Sequence, residues 1–337
     1  MPASRPGFWQ SRSLPAFSLL PLAASFGAIV AMRRALYRSG LLRSCRLPVP
    51  VIVVGNIAVG GSGKTPVVAW LADLLRSAGH VPGIVSRGYG GRNRAEIMVD
   101  AASDPGRCGD EPVLLARMTG CPVAVGRDRP RAARLLLAHV PSCSVIIADD
   151  GLQHYRLQRD IEIAVVDEAV LGNGWLLPAG PLREPLNRLG SVDVLIVHGR
   201  PPDRLCALAG AVPAFGMRLE GAELQRLGDP GERLVLDALG GQRVHAVAGI
   251  GHPERFFDQL RAAGLQVVPH PFPDHHPFTA SDLDFAPGET KILTAKDAVK
   301  CASFAPADCW VLPVTARIEP GAEPFILEKL AHGRPPA

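Results

Sequence analysis

Apolar positions along this chain fall into short unbroken runs that end in glycine or in polar clusters, with stretches of helical spacing between them. Val51–Gly55 is such a run; Val67–Ala78 follows with helical spacing, Gly79 ends it, and Val81–Val85 begins the next strand. The alternation continues through Pro122–Val125, Ser144–Ala148, Ile161–Asp167 and Val192–His198, all read as strands. Strands alternating with helices predict an α/β fold, a mainly parallel sheet with helices on both faces. From about Ala211 the segments become shorter, and a second αβ unit is predicted. Its strands are Val244–Ala248, Leu265–Val268 and Lys291–Thr294, its helix is Glu254–Ala263, and Lys296 and Asp297 follow the last strand. The expected organisation is an apolar leading segment at 1–46, a larger domain at 47–212 and a smaller αβ domain at 213–337 that closes a cleft.

The leading segment departs from this alternation. Leu14–Met32 carries no charge, with Arg5 and Arg12 before it and Arg33, Arg34, Arg38, Arg43 and Arg46 after it. A helix lying in the bilayer interface, a single span, a cleaved signal peptide and a buried core helix compete here. Pro21 and Gly27 weaken a span, and secretion is the least expected of the four. The interfacial amphipathic helix is the expectation, its arginines meeting anionic headgroups.

Composition narrows the partners only a little. The 36 basic and 32 acidic residues leave a formal charge of +4, too slight to argue for nucleic acid. Seven scattered cysteines, none spaced C-x-x-C, suggest neither a disulfide framework nor a zinc site and fit a reducing cytoplasm. No obligate protein partner is indicated.

Candidate chemistry starts at Val51–Pro66, VIVVGNIAVGGSGKTP. A strand, a glycine-rich turn and a helix start form a phosphate cradle, as in P-loop nucleotide-binding folds. Backbone N–H groups around Gly60, Gly61, Ser62 and Gly63 face an anion, Lys64 reaches the β/γ-phosphates and Thr65 offers a hydroxyl to Mg²⁺. Ala58 stands where the strict pattern has its first glycine. Downstream, the strand ending in Asp149-Asp150 supplies the opposite side of a Mg²⁺ site, and Gln153 and His154 follow closely. Arg87 and Tyr89, in Ser86-Arg87-Gly88-Tyr89-Gly90-Gly91, are candidates for a phosphate and for a sugar or acyl chain. Arg183 and Glu184 lie in a proline-locked loop, and arginines at 127, 129, 131 and 134 either meet an anion or cover a helix. Asp110 and Glu111 read on their own as ordinary first-turn residues of a helix. His275 and His276 beside Asp274 leave metal, base and solvated loop open.

Together, SLLPLAASFGAIVAMRRALYRSG, VGNIAVGGSGKTP, SRGYGG, GDEP, ADDGLQH, GPLRE, AGIGHPERF, FPDHHPF and TAKDAVK resemble, in order and spacing, the tetraacyldisaccharide 4'-kinase family over roughly residues 17 to 300. Leu152 replaces a more usual aromatic residue and His252 a smaller polar one. The resemblance implies ATP-dependent phosphorylation, with Mg²⁺, of the 4'-hydroxyl of an acylated glucosamine disaccharide 1-phosphate. That lipid A precursor would be met at the cytoplasmic face of the bacterial inner membrane. It implies that Asp110 accepts the hydroxyl proton, helped by His275 in preference to His276. Asp149 is then expected at the metal and Asp150 at the reacting hydroxyl, with Gln153 and His154 near the sugar. Arg87, Tyr89, Arg183 and Glu184 are further contacts to substrate or nucleotide. A membrane-associated ATPase switch shares the phosphate loop but has no need of an Asp110/His275 pair.

Overall fold

The computed structural model describes residues 6–229 and 231–333. Eight strands come first: β1 (Val51–Gly55), β2 (Pro82–Ser86), β3 (Ile97–Val99), β4 (Val123–Val125), β5 (Val145–Asp149), β6 (Ile161–Val166), β7 (Val194–His198) and β8 (Ala214–Glu220). β1 is buried along its whole length, and its side chains alternate between two cores as the strand period requires. Ile52 and Val54 pack with Val67, Leu71 and Leu75 of the helix Lys64–Ser77. Val51 and Val53 pack on the other face with Ala133 and Leu136 of the helix Arg129–His139. Covering a parallel sheet on both sides explains why its strands read as unbroken apolar runs.

The chain then enters a second sheet: β9 (Glu223–Arg226), β10 (Arg233–Val235), β11 (Arg243–Ala248), β12 (Gln266–Pro271), β13 (Lys291–Thr294) and β14 (Cys309–Leu312). Its order is β10-β9-β14-β13-β11-β12, parallel from β14 to β12, around a core of Phe257, Leu260, Ile292 and Trp310. β15 (Thr315–Ile318) returns to pair antiparallel with β8, which completes a nine-stranded sheet ordered β15-β8-β7-β6-β1-β5-β2-β4-β3. The helix Ala322–His332 follows and buries Ile326 and Leu330 in the first core. The division expected at 212/213 therefore does not follow the sheets. β8, β15 and the last helix go with the first sheet because Met217, Ala316 and Ile326 are buried in its core. The smaller lobe is the stretch between β8 and β15.

β1 lies between β5 and β6, so the winding reverses beside it. In open α/β sheets the crevice beyond the carboxyl ends of the strands at such a point receives ligands.

The leading segment forms two helices, Leu14–Ser18 and Leu20–Arg38, with Pro21 in the first turn of the second. One side leans on the larger lobe: Phe17 meets Trp175 edge-on at 4.9 Å, and Arg34 donates to Ser191 Oγ at 2.7 Å. Ala16 and Ala23 are the buried residues of the pair, whereas Leu14, Leu22, Ile29 and Met32 are exposed, so this is no core helix. Among the described residues no helix is long and apolar enough to cross a membrane. Arg5 lies outside the described residues.

Candidate active site

The glycine-rich turn is shaped by conformation at Gly60 (φ +118°) and Gly63 (φ +80°), both in the half of backbone space that side chains disfavour. Gly63 is the N-cap of Lys64–Ser77, while Gly61 borders open space. Ala58 forms an isolated antiparallel bridge with Leu182, and the next N–H, of Val59, donates to Pro181 O at 2.9 Å. That position is stitched to a neighbouring loop in extended backbone, so glycine is not needed there. The loop is braced internally: Asn56 Nδ2 donates to Gly60 O at 3.2 Å and to Ser62 Oγ at 3.1 Å, and Gln153 Nε2 donates to Asn56 O at 3.0 Å. Lys64 Nζ lies 3.6 Å from Asp150 Oδ1, and Thr65 follows in the same first turn.

Asp149 ends β5 and is buried, with Ser86 Oγ donating to its Oδ2 at 3.0 Å. Asp150 takes a left-handed conformation (φ +47°), rare for a residue with a side chain and worth about 1–3 kcal/mol of local strain. Its carboxylate is held by Arg183 Nη1 at 2.9 and 3.2 Å as well as by Lys64. The two neighbours titrate far apart. Burial, then Glu111 and Asp150, push Asp149 up to about 7. Burial would raise Asp150 too, but Lys64 and Arg183 outweigh it and hold that carboxyl at about 2. Beneath both lies Arg129, buried, donating to Gly126 O at 3.1 Å and Asp149 O at 3.0 Å. Burial lowers this guanidinium to about 10 despite the carboxylates near it.

These groups suit a hard cation. Thr65 and Asp149 offer oxygen donors, and the negative charge crowded around Asp149 is what a divalent ion neutralises. Among the described residues no cluster of three or more His, Cys, Asp or Glu could hold a metal by itself. Mg²⁺ commonly has one or two protein ligands, with water and phosphate completing its shell.

The second half of the site is built across the lobes. Gly109 (φ +92°) starts the helix Asp110–Thr119, and a Cβ there would lie 2.5 Å from Tyr89 O, so only glycine lets these two loops interlock. Asp110 is buried; its Oδ1 accepts from the Glu111 N–H at 3.0 Å, and its Oδ2 lies 3.1 Å from His275 Nδ1 of the smaller lobe. The first-turn reading and the pairing with His275 are thus both met by one carboxylate. His275 also has a left-handed backbone (φ +61°), and its ring lies 5.2 Å from that of Tyr89. His276 instead pairs with Asp282 of its own segment at 3.2 Å. Burial works to raise Asp110, but the His275 hydrogen bond and Lys296 bring it below the usual range. The Asp110 hydrogen bond raises His275 against burial and Lys296. Arg87 is exposed on the Tyr89 loop.

Of the expected substrate contacts, Glu184 and Gln153 have side-chain partners within the protein, and His154 is half-buried. Glu184 is 1% exposed and closed in by Arg188 at 3.2 Å and by Tyr155, whose hydroxyl burial and Glu184 push up to about 12. Gln153 braces Asn56. His154 is driven down to about 4 by burial, Arg129 and Arg159, and its Nε2 is buried without a partner. Leu152 is fully buried against Gly55, a space an aromatic ring would overfill without rearrangement.

Sequence reasoning missed Arg129 as a buried cation, Glu111 and Lys296 as partners at 3.2 Å across the lobes, and the Arg255–Asp167 pair that ties the lobes on another side. Asp167 carried a signal, an acidic residue ending an apolar strand; Arg255 carried none.

Comparison with known proteins gives a consistent result. Residues 15–331 match the family described as Tetraacyldisaccharide-1-P 4'-kinase. A protein of Aromatoleum aromaticum named tetraacyldisaccharide 4'-kinase is 64% identical over 337 residues, with 100% of both chains covered. One of Azoarcus sp. with the same name is 63% identical, covering 98% of this chain and 97% of its own. Among solved structures, LpxK from Aquifex aeolicus in complex with ATP superposes with a TM-score of 0.79 at 31% identity, covering 94% of this chain and 100% of that one.

Proposed function

The chain belongs to the tetraacyldisaccharide-1-P 4'-kinase family and phosphorylates the 4'-hydroxyl of the lipid A disaccharide precursor with ATP; from that premise we propose how its own residues carry the transfer. The triphosphate rests on the backbone of Gly60–Thr65, with Lys64 at its β/γ-phosphates. Thr65 and Asp149 would hold Mg²⁺, which supplies charge neutralisation on the phosphate oxygens. Asp110 accepts the proton of the 4'-hydroxyl as that oxygen bonds to the γ-phosphorus and the bond to the β-bridging oxygen breaks, leaving ADP. Phosphoryl transfer needs alignment and charge compensation more than a strong base, so a carboxylate kept ionised by His275 and Lys296 is adequate. Arg183, Lys64 and Arg129 compensate the negative charge around Asp150. Arg87 and Tyr89, exposed at the mouth, contact the incoming headgroup.

The observation that carries these roles is the 3.1 Å contact between Asp110 and His275, which joins two lobes at the edge of the phosphate site. Transfer of label from ATP to the disaccharide 1-phosphate tests it. Asp110→Ala and Asp150→Ala are expected to lose turnover with ATP binding retained, and an Asp110→Ala protein working at the parent rate would sink the mechanism.

The substrate is a lipid, and we propose that the leading helices lie in the interface of the inner membrane on its cytoplasmic side. Support comes from the exposed Leu14, Leu22, Ile29 and Met32 together with the following arginines. A groove of about 560 Å³ between Val30, Ala31, Arg34 and Arg38 and the loop at Glu184, Pro185 and Asn187 would take an acyl chain. Flotation with anionic and neutral vesicles checks this: binding is expected to need the anionic lipid and to weaken when Leu22 and Ile29 become serine.

A further inference from the structure

We propose that Lys296 is the positioning residue of the Asp110–His275 pair: its ammonium donates to Nε2 of His275 and so fixes the neutral imidazole with Nδ1–H turned to Asp110. This rests on the assignment of Asp110 as proton acceptor. Lys296 comes from the helix Ala295–Cys301, which starts where β13 ends, and Asp297 and Thr294 cap that start by bonding each other at 2.6 Å. Asp297 is fully buried and also accepts from the Gly249 N–H at 2.8 Å, so the helix start is anchored to the end of β11. From there Lys296 Nζ reaches His275 Nε2 at 3.3 Å, Glu111 Oε1 at 3.2 Å and Asp274 Oδ1 at 3.4 Å.

An ammonium has donors only, so the ring nitrogen that faces it must be an acceptor. The remaining ring nitrogen, Nδ1, then carries the hydrogen, and it is the atom beside Asp110 Oδ2. The tautomer is set by the group on the far side of the ring, as for any histidine whose two nitrogens have different partners. With its Nε2 lone pair occupied, His275 orients Asp110 by donation and does not remove the substrate proton from it.

The charges facing the pair come from every side. Asp110 and Glu111 lie on one helix, Lys296 and Lys300 on another, Asp274 is on the histidine's own segment, and the Tyr89 ring covers one face. Glu111 and Asp274 hold the ammonium in place, and their carboxylates keep it charged. Sequence reading noted Lys296 as a residue after a strand and as part of TAKDAVK, and gave it no task at the histidine.

Imidazole ¹⁵N NMR on the full chain labelled at histidine, in detergent, tests the tautomer directly without any variant. At a pH above that at which His275 loses its charge, Nδ1 protonated and Nε2 without hydrogen is expected; the opposite tautomer overturns the proposal. Lys296→Met removes donor and charge at similar volume. Its kcat is expected to fall about 10-fold or more with KM for ATP unchanged. The acidic limb of its pH–rate profile is expected to move up by about one unit, because removing a cation favours protonation of both Asp110 and His275. Lys296→Arg, which keeps charge and donors, is expected to restore the parent limb. A Lys296→Met protein with parent kcat and an unmoved limb overturns the proposal, and if that variant does not fold, the tautomer and the Lys296→Arg profile still decide. Asp110→Asn distinguishes the underlying reading: if it retains parent turnover, the proton-acceptor assignment fails, whereas its inactivity beside an unmoved Lys296→Met limb removes Lys296 alone.

Discussion

The two halves of the site are built in opposite ways. The nucleotide half, Gly60–Thr65 with Asp149 and Asp150, belongs entirely to the first sheet, where β1 and β5 are hydrogen-bonded neighbours. Its geometry is complete within one lobe: Asn56 braces the turn, and Lys64 and Arg183 grip Asp150. The acceptor half exists only where the lobes meet, since Asp110 comes from one and His275 and Lys296 from the other. The braces of the glycine-rich turn therefore come from the larger lobe alone, whereas Asp110 has its histidine partner only when the smaller lobe is seated.

The comparison is sharpest at Asp110. Asp110→Asn is expected to lower turnover by about 10²–10⁴-fold while ATP affinity, read by calorimetry, stays at the parent value. Lys64→Ala should break the separation, weakening ATP binding and turnover together, because the ammonium proposed to meet the phosphates also lies 3.6 Å from Asp150. Gly109→Ala should act on assembly: with φ +92° and a Cβ 2.5 Å from Tyr89 O, it is expected to cost about 1–3 kcal/mol in chemical denaturation. Arg255→Ala removes a further tie between the lobes. Asp167 is buried but Arg255 is 42% exposed at its side chain, so solvent screening limits the loss to about 1 kcal/mol.

The smallest effect is in pH. His275 is raised in the fold, so its contribution is present below its ordinary value of 6.5 and lost as pH rises through the folded value. Asp110 is depressed, so its contribution is present above its ordinary 3.8 and lost as pH falls through the folded value. The seam therefore stabilises the lobes most between about pH 4 and 7. The Tm difference between the parent and His275→Asn is expected to peak in that window and shrink on either side.

How far the sequence was legible follows the same division. The strand–turn–helix of Val51–Ser77 and the aspartates ending β5 are local patterns, and a buried parallel sheet leaves unbroken apolar runs that cannot be mistaken for exposed strands. β8 and β15 were not assigned to the first sheet because their pairing joins residues about a hundred positions apart and leaves no mark in either segment. The Asp110–His275 pair spans 165 positions. Residue type alone made Asp110 an ordinary first-turn acid, and only the resemblance of GDEP and FPDHHPF to a family gave it another role. Arg129 was indistinguishable from Arg127, Arg131 and Arg134 by composition; what separates it is burial beneath the β5 end, set by the helix face it occupies. Glu184 and Gln153 were given as contacts by the resemblance of GPLRE and ADDGLQH to a family; in the fold Glu184 meets Arg188 and Tyr155, and Gln153 braces Asn56.

The pairing of β8 with β15 carries one more consequence. Glu220 and Thr315 stand opposite each other in antiparallel register, so in topological terms the two strands are the arms of a hairpin whose turn has been replaced by an entire second sheet. Such an insert is excisable in principle: a two-residue Asn-Gly turn is the ordinary closure for arms of this kind. A chain so shortened is expected to keep the nine-stranded sheet, less the apolar cover that Val299 gives the first core, while having no histidine to offer Asp110. It would retain the phosphate loop and Asp110 but lack the His275 and Lys296 that face that carboxylate.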